Sequence, residues 1–155
     1  MAWIRAFGTP VESNFLFKDG EVYSSKTGGW SNAGWKWNSS TSLGDASIIS
    51  DHINIAVSTG IGTQIKVDLT NVRYIRVKAN VIQGSAVDSC VLTINSTDKY
   101  YYSGGTPVIF NNIFTYTGLN DFYIDVSSYS GSYFIGMASA GVGRSMDVYE
   151  VELVP

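Results

Sequence analysis

Apolar residues in this chain recur at every second position in short runs, and Gly, Asn, Asp and Ser break those runs every few residues. A strand points successive side chains to opposite faces, so this spacing buries one face of a sheet and rules out helical packing of the interior. Arg73-Tyr74-Ile75-Arg76-Val77-Lys78-Ala79-Asn80-Val81 is the clearest case, with Ile75, Val77, Ala79 and Val81 inward. His52-Ile53-Asn54-Ile55-Ala56-Val57 places Ile53, Ile55 and Val57 on one face, and the run 64–69 does the same with Ile65, Val67 and Leu69. Cys90, Leu92 and Ile94 form the next inner face, with Thr93 and Asn95 outside. On the last strand, Tyr149, Val151 and Leu153 are expected inside, opposite Met146, Val148, Glu150 and Glu152.

Turn chemistry divides the rest. Asp19-Gly20 between Phe15-Leu16-Phe17-Lys18 and Glu21-Val22-Tyr23 marks a hairpin, because Asp-Gly takes the positive φ angles of a tight turn. Residues 24–33 and 39–44 read as loop, 34–38 and 47–50 as short strands, and 107–116 as two strands about Asn111-Asn112. Residues 121–126, 132–139 and 146–154 complete the set, and no segment sustains a helical period. The expectation is an all-β sandwich of two antiparallel sheets with about nine or ten strands, as one domain over 13–155. Residues 1–12, with Trp3, Ile4 and Phe7, form an N-terminal arm or first edge segment.

Two segments echo one another. Val67-Asp68-Leu69-Thr70-Asn71 and Ile124-Asp125-Val126-Ser127-Ser128 each close a strand on an Asp-apolar-hydroxyl step. The side chains of such a step hold the backbone amides freed at a corner, so two equivalent corners between sheets are expected.

Charge narrows the partners. Only 15% of residues are charged and the net charge is −3, which disfavours phosphate neutralisation and therefore nucleic acid. No apolar run reaches the roughly 20 residues of a membrane helix, so no membrane insertion is expected. A single cysteine, Cys90, excludes an internal disulfide and any multi-cysteine metal site, and its apolar strand face makes it a buried thiol. The opening residues lack a basic segment followed by an apolar one, so no signal peptide is read there.

The run Asp125-Val126-Ser127-Ser128-Tyr129-Ser130-Gly131-Ser132-Tyr133-Phe134-Ile135-Gly136-Met137, with Met146-Asp147-Val148-Tyr149-Glu150-Val151-Glu152-Leu153 after it, resembles the C-terminal strands of carbohydrate-binding-module-like jelly rolls. Domains of that pattern recur in tail-associated proteins of phages and prophages of Gram-positive bacteria. Val67-Asp68-Leu69-Thr70-Asn71-Val72 before Tyr74-Ile75-Arg76-Val77 matches the middle corner of the same pattern, and the likeness covers roughly residues 45–154. The resemblance implies a jelly roll, host-surface or cell-wall carbohydrate as ligand, and other virion or tail subunits as partners, including further copies in a homo-oligomer. It also implies synthesis in the bacterial cytoplasm and a final place in the virion or outside the cell after release.

Sugar rings lie against aromatic faces, while amides and hydroxyls take the sugar hydroxyls, and Trp and Tyr do this with few rotatable bonds to order. The first candidates are Trp30, Trp35 and Trp37 with Asn32, Asn38 and Lys36, followed by Tyr100, Tyr101 and Tyr102, then Tyr116 and Tyr129. Trp35 and Trp37, two apart, fit the core equally. No catalytic residue is assigned. His52 beside Asp51 lacks a nucleophile motif and reads as a strand-end histidine, and Glu150 with Glu152 or Asp147 is the one carboxylate pairing a small glycan hydrolase would use. A purely structural virion subunit is the other alternative. No cofactor is expected; a structural calcium ion, which takes six to eight oxygens, would draw on Glu12, Asp45 and Asp147.

Overall fold

The computed structural model describes residues 13–37, 42–82, 89–101, 110–114, 116–140 and 145–155. The expected arm at 1–12 lies outside them. The period-2 segments become strands of two packed sheets.

In the first sheet β14 (Ser145–Val154) lies beside β9 (Tyr74–Ile82), and β12 (Gly118–Asp125) lies beyond β9. Along the other side of β14 run β6 (His52–Ile55), paired with β5 (Ser47–Ile49), and then β1 (Phe15–Lys18), paired with β2 (Glu21–Val22). The second sheet runs β11 (Phe110–Ile113), β10 (Ser89–Asn95), β13 (Ser132–Ala140), β7 (Thr59–Thr63), β3 (Trp30–Ser31). Two short strands complete it: β4 (Gly44–Asp45) pairs with β7, in the one parallel ladder among the described residues, and β8 (Val67–Asp68) pairs with β13.

The frame is thus β6-β14-β9-β12 facing β7-β13-β10-β11. Within this frame the chain crosses between the layers from β6 to β7, β8 to β9, β9 to β10, β11 to β12, β12 to β13 and β13 to β14. Wrapping a strand pair around a sandwich in this way is the jelly roll. Fourteen strands are described, more than the nine or ten expected, because two-residue pairings at the sheet margins carry no alternation to read.

Ile53 and Ile55 of β6, Ile75, Val77, Ala79 and Val81 of β9, and Cys90, Leu92 and Ile94 of β10 are all buried, as the alternation places them. Other expectations fail locally. Val57 and Ile65 fall outside strands and are exposed, and Asn111-Asn112 lies within one strand, β11, instead of dividing two. Residues 24–27 form a single helical turn, α1 (Ser24–Thr27), closed by Gly28 at φ 66°.

The last strand departs most instructively. Met146, Val148, Val151 and Leu153 all point inward, although Val148 and Val151 differ in parity. The register against β9 shifts between Val148 and Glu150. A bulge inserts one residue and turns every later side chain to the other face. Glu150 and Glu152 consequently face solvent, and Tyr149, expected inside, is half-buried at the bulge.

A second apolar cluster covers the outer face of the second sheet. It holds Trp35, Val91, Tyr101 and Ala138, with Trp37, Leu43 and Phe134 packed around them. Thr93 and Asn95, expected outside, are fully buried because they share that covered face. Among the described residues no helix is long and apolar enough to cross a membrane.

Candidate functional site

The two echoing segments meet at one end of the sandwich. In the first, the Thr70 amide donates to Asp68 Oδ1 at 2.8 Å; in the second, the Ser127 amide and hydroxyl donate to Asp125 Oδ1 at 2.9 and 2.6 Å. The apolar middle residue, Leu69 or Val126, is fully buried, and its carbonyl accepts from the amide three residues on, Val72 at 3.0 Å or Tyr129 at 2.9 Å. The two corners are the same device used twice. Hydrogen bonds from the Thr70 side chain and then its amide hold the Asp68 carboxyl below the usual range, and Ser127 does the same to Asp125.

Backbone bonds tie the corners together. Leu69 N donates to Gly131 O at 2.8 Å, Gly131 N to Thr70 Oγ1 at 3.3 Å, and Val126 N to Arg73 O at 2.9 Å. Between them lies an open cleft of about 380 Å³ lined by Thr70, Asn71, Val72, Arg73, Ser127, Tyr129 and Ser130. Its walls offer hydroxyls, an amide, one guanidinium, one phenol ring and the aliphatic Val72. Beside it the Arg73 guanidinium sits 5.0 Å over the Tyr74 ring, and Tyr74 meets Tyr123 edge-on at 6.0 Å. Tyr123 is 58% exposed. The cleft therefore combines neutral hydrogen-bonding groups with adjoining aromatic surface, the two ingredients a sugar ring needs.

Most residues singled out from the sequence sit elsewhere. Trp30 is buried in the main core and its indole N–H donates to Leu16 O at 3.1 Å. Trp35 is buried in the outer cluster, stacked on Tyr101 at 4.8 Å, with its N–H donating to Thr63 O at 3.3 Å. Trp37 packs half-buried against that cluster. The three do not share a solvent-facing platform, because two of them fill two separate apolar interiors. Asn32 is engaged locally, its amide N donating to Asp45 Oδ1 at 3.1 Å and its Nδ2 to Leu43 O at 2.6 Å. Tyr100 is half-buried where it bridges Lys36. Tyr101 is fully enclosed, and burial, then the Asp45 charge, pushes its phenol well up, keeping it neutral. Tyr116 is 69% exposed. Asn38, Tyr102 and Glu12 lie outside the described residues.

The calcium candidates are not gathered. Asp45 belongs to the second sheet and Asp147 to the first, where Asp147 Oδ1 accepts from Asn54 Nδ2 at 2.7 Å and lies 3.6 Å from His52 Nε2. Among the described residues no three His, Cys, Asp or Glu side chains converge as a metal site. Cys90 is buried.

On the outer face of the first sheet Arg76 Nη1 bridges Glu150 Oε2 at 2.7 Å and Glu152 Oε2 at 3.0 Å, and Arg76 Nη2 meets Asp121 Oδ1 at 2.6 Å. Desolvation lowers the guanidinium pKa, but the three carboxylate hydrogen bonds outweigh it, and the net shift is upward. A permanent cation thus sits between the two glutamates, where hydrolysis needs a sugar oxygen. A second hollow of about 410 Å³, lined by Asp19, Asp51, Lys78, Leu119, Tyr149 and Glu150, adjoins this network. Its charges are largely engaged, with Lys78 Nζ 3.8 Å from Glu150 and Asp51 3.0 Å from His52 Nδ1.

Of the sequence candidates, Tyr129 alone lies in the corner cleft. Arg73 and Tyr74 were legible only as members of a strand. The repeated Asp-apolar-hydroxyl step was the available signal, since it marks both walls. Comparison with protein-family models, curated proteins and solved structures finds no match for this chain.

Proposed function

We propose that this chain is a non-enzymatic jelly roll of a phage or prophage tail-associated assembly, and that it binds host-surface or cell-wall carbohydrate in the cleft between its two corners. The observation that carries the reading is the cleft itself: three hydroxyl side chains, Asn71 and Tyr129 on a backbone frame fixed by interlocking hydrogen bonds. Prearranged polar groups lose little freedom when a ligand docks, and several weakly binding copies in one particle would bind together with an avidity well above any single affinity. The guanidinium between Glu150 and Glu152 weighs against the hydrolase alternative. A structural subunit without a glycan site is the second reading. It is favoured by exposed Leu119 and Tyr123 on β12, the last described strand of the first sheet, which suit a contact with a neighbouring subunit.

The test is binding of the purified chain to bacterial cell walls and to a glycan array. It is repeated with Tyr123→Ala, which trims exposed aromatic surface, and Ser130→Tyr, which fills the cleft from an exposed position. Retention of the chain, lost in Ser130→Tyr and weakened in Tyr123→Ala, supports the reading. Absence of any glycan retention, or retention indifferent to both substitutions, overturns it.

A further inference from the structure

We infer that the carbohydrate bound in the corner cleft carries an acidic group, a carboxylate or a phosphate, and that Arg73 recognises it. This narrows the glycan reading above and rests on it.

Arg73 is held unusually well for an exposed side chain. Its amide donates to Val154 O at 2.8 Å and its carbonyl accepts from Val126 N at 2.9 Å, so its backbone is clamped between the C-terminal strand and the second corner. Its guanidinium rests over the Tyr74 ring, which Tyr123 braces from the side. A cation held over a ring face by its charge spends no hydrogen bond on that contact, so its N–H donors remain open to another partner. Among the described residues Arg73 makes no ion pair and no side-chain hydrogen bond. Arg76, three residues along, shows the opposite condition, with its donors spent on Asp121, Glu150 and Glu152.

Asp125 Oδ1 accepts both Ser127 donors, which lower its carboxyl most; the Arg73 charge is the smallest of the lowering causes, and Asp125 makes no ion pair with Arg73 among the described residues. The other walls of the cleft are neutral: Thr70, Asn71, Val72, Ser127, Tyr129 and Ser130. One planar cation with open donors among hydroxyls and an amide is the arrangement that takes an oxyanion in its fork and a sugar's hydroxyls alongside. A neutral sugar would leave those donors to water. An ammonium-bearing sugar would meet a like charge.

The test is titration of the ¹⁵N-labelled chain, followed at the amides of Thr70, Ser127 and Gly131, with glucose, glucuronate, glucose 6-phosphate and inorganic phosphate. A charge-assisted contact should make at least one acidic sugar bind about tenfold or more tightly than glucose. Glucuronate and glucose 6-phosphate separate the carboxylate from the phosphate source. In Arg73→Gln the ratio of acidic-sugar to glucose affinity should fall to about one while the amide spectrum away from the cleft keeps its folded pattern, and Arg73→Lys should recover only part of the preference. Glucose binding as tightly as both acidic sugars overturns the inference and leaves the glycan reading intact. Inorganic phosphate shifting these amides, with no sugar binding more tightly than phosphate, supports an anion site at Arg73 but overturns its assignment to a glycan. No response to any of the four overturns the inference and the glycan reading of this cleft together.

Discussion

Gly60, Gly62 and Gly136 show how one atom decides what a sheet face carries. A Cβ at Gly60 would stand 2.6 Å from Tyr101 Cζ, and one at Gly62 or Gly136 would fall within the Trp35 indole. Gly62 and Gly136 are paired across β7 and β13, so together they form a bare patch on which the indole lies flat. This explains why β7, Thr-Gly-Ile-Gly-Thr, was not legible as a strand: its glycines oppose strand propensity and are there to seat the rings. It also explains why the tryptophan spacing misled. Alternation tells which residues share a face, and does not tell whether another layer covers that face. Gly62→Ala should cost about 1–3 kcal/mol, the usual penalty of overpacking. Trp35→Leu alone should also destabilise by leaving a void, whereas the double substitution should cost clearly less than the sum. Urea denaturation of the four proteins checks this. Additive losses would show that Trp35 does not press on Gly62.

At the scale of the strand, β14 joins two half-strands whose faces are out of phase. Its upstream part buries Met146 and Val148, its downstream part Val151 and Leu153, and the bulge reconciles them. Simple alternation carried across Tyr149 puts half the strand on the wrong side, because a bulge has no residue code as plain as a turn's. Once past it, Glu152 stands opposite Arg76 and Glu150 opposite Lys78 on β9, both reaching Arg76 Nη1, while Asp121 on β12 meets its Nη2. One guanidinium therefore staples three adjacent strands. Arg76 and Glu150 keep only 18% and 13% of their side-chain surface exposed, so water screens that pair poorly, while Asp121 at 46% contributes less. Arg76→Met should destabilise by about 1–3 kcal/mol, chiefly because Glu152 and Asp121 then lose their cation and Glu150 keeps only Lys78, 3.8 Å away. Glu152→Gln should cost a small fraction of that. Thermal melts at low and high salt test the ranking: added salt should narrow the gap between wild type and Arg76→Met, and a gap indifferent to salt would point to lost packing instead.

Across the whole molecule the two corners set two of the places where the chain changes layers, from β8 to β9 and from β12 to β13, and they were readable before the sheet order was. An Asp that caps the amide two residues on is local chemistry, complete within five residues. The order β6-β14-β9-β12 is a set of long-range pairings that no segment states by itself. The corners should also give the fold an acid limit. Asp68 and Asp125 have pKa values lowered in the folded chain, so between the folded and unfolded values the unfolded chain binds more protons and stability rises with pH. Their contribution is complete above the ordinary aspartate value of about 3.9 and is lost as the pH falls through the depressed folded values. In Asp68→Asn with Asp125→Asn the amide oxygen still accepts from Thr70 and Ser127, but the charge that strengthens those bonds is gone at every pH. Wild type should therefore melt above the double variant at pH 7, and the two curves should converge as the pH drops below 4. Asp51, lowered by its bond to His52, is present in both proteins and cancels from the difference. A melting difference that stayed constant down to pH 2 would mean that the carboxylates support the corners by shape alone. Convergence would show instead that the turns between the two layers are held by charge, and that protonation loosens the walls of the cleft before it reaches the core.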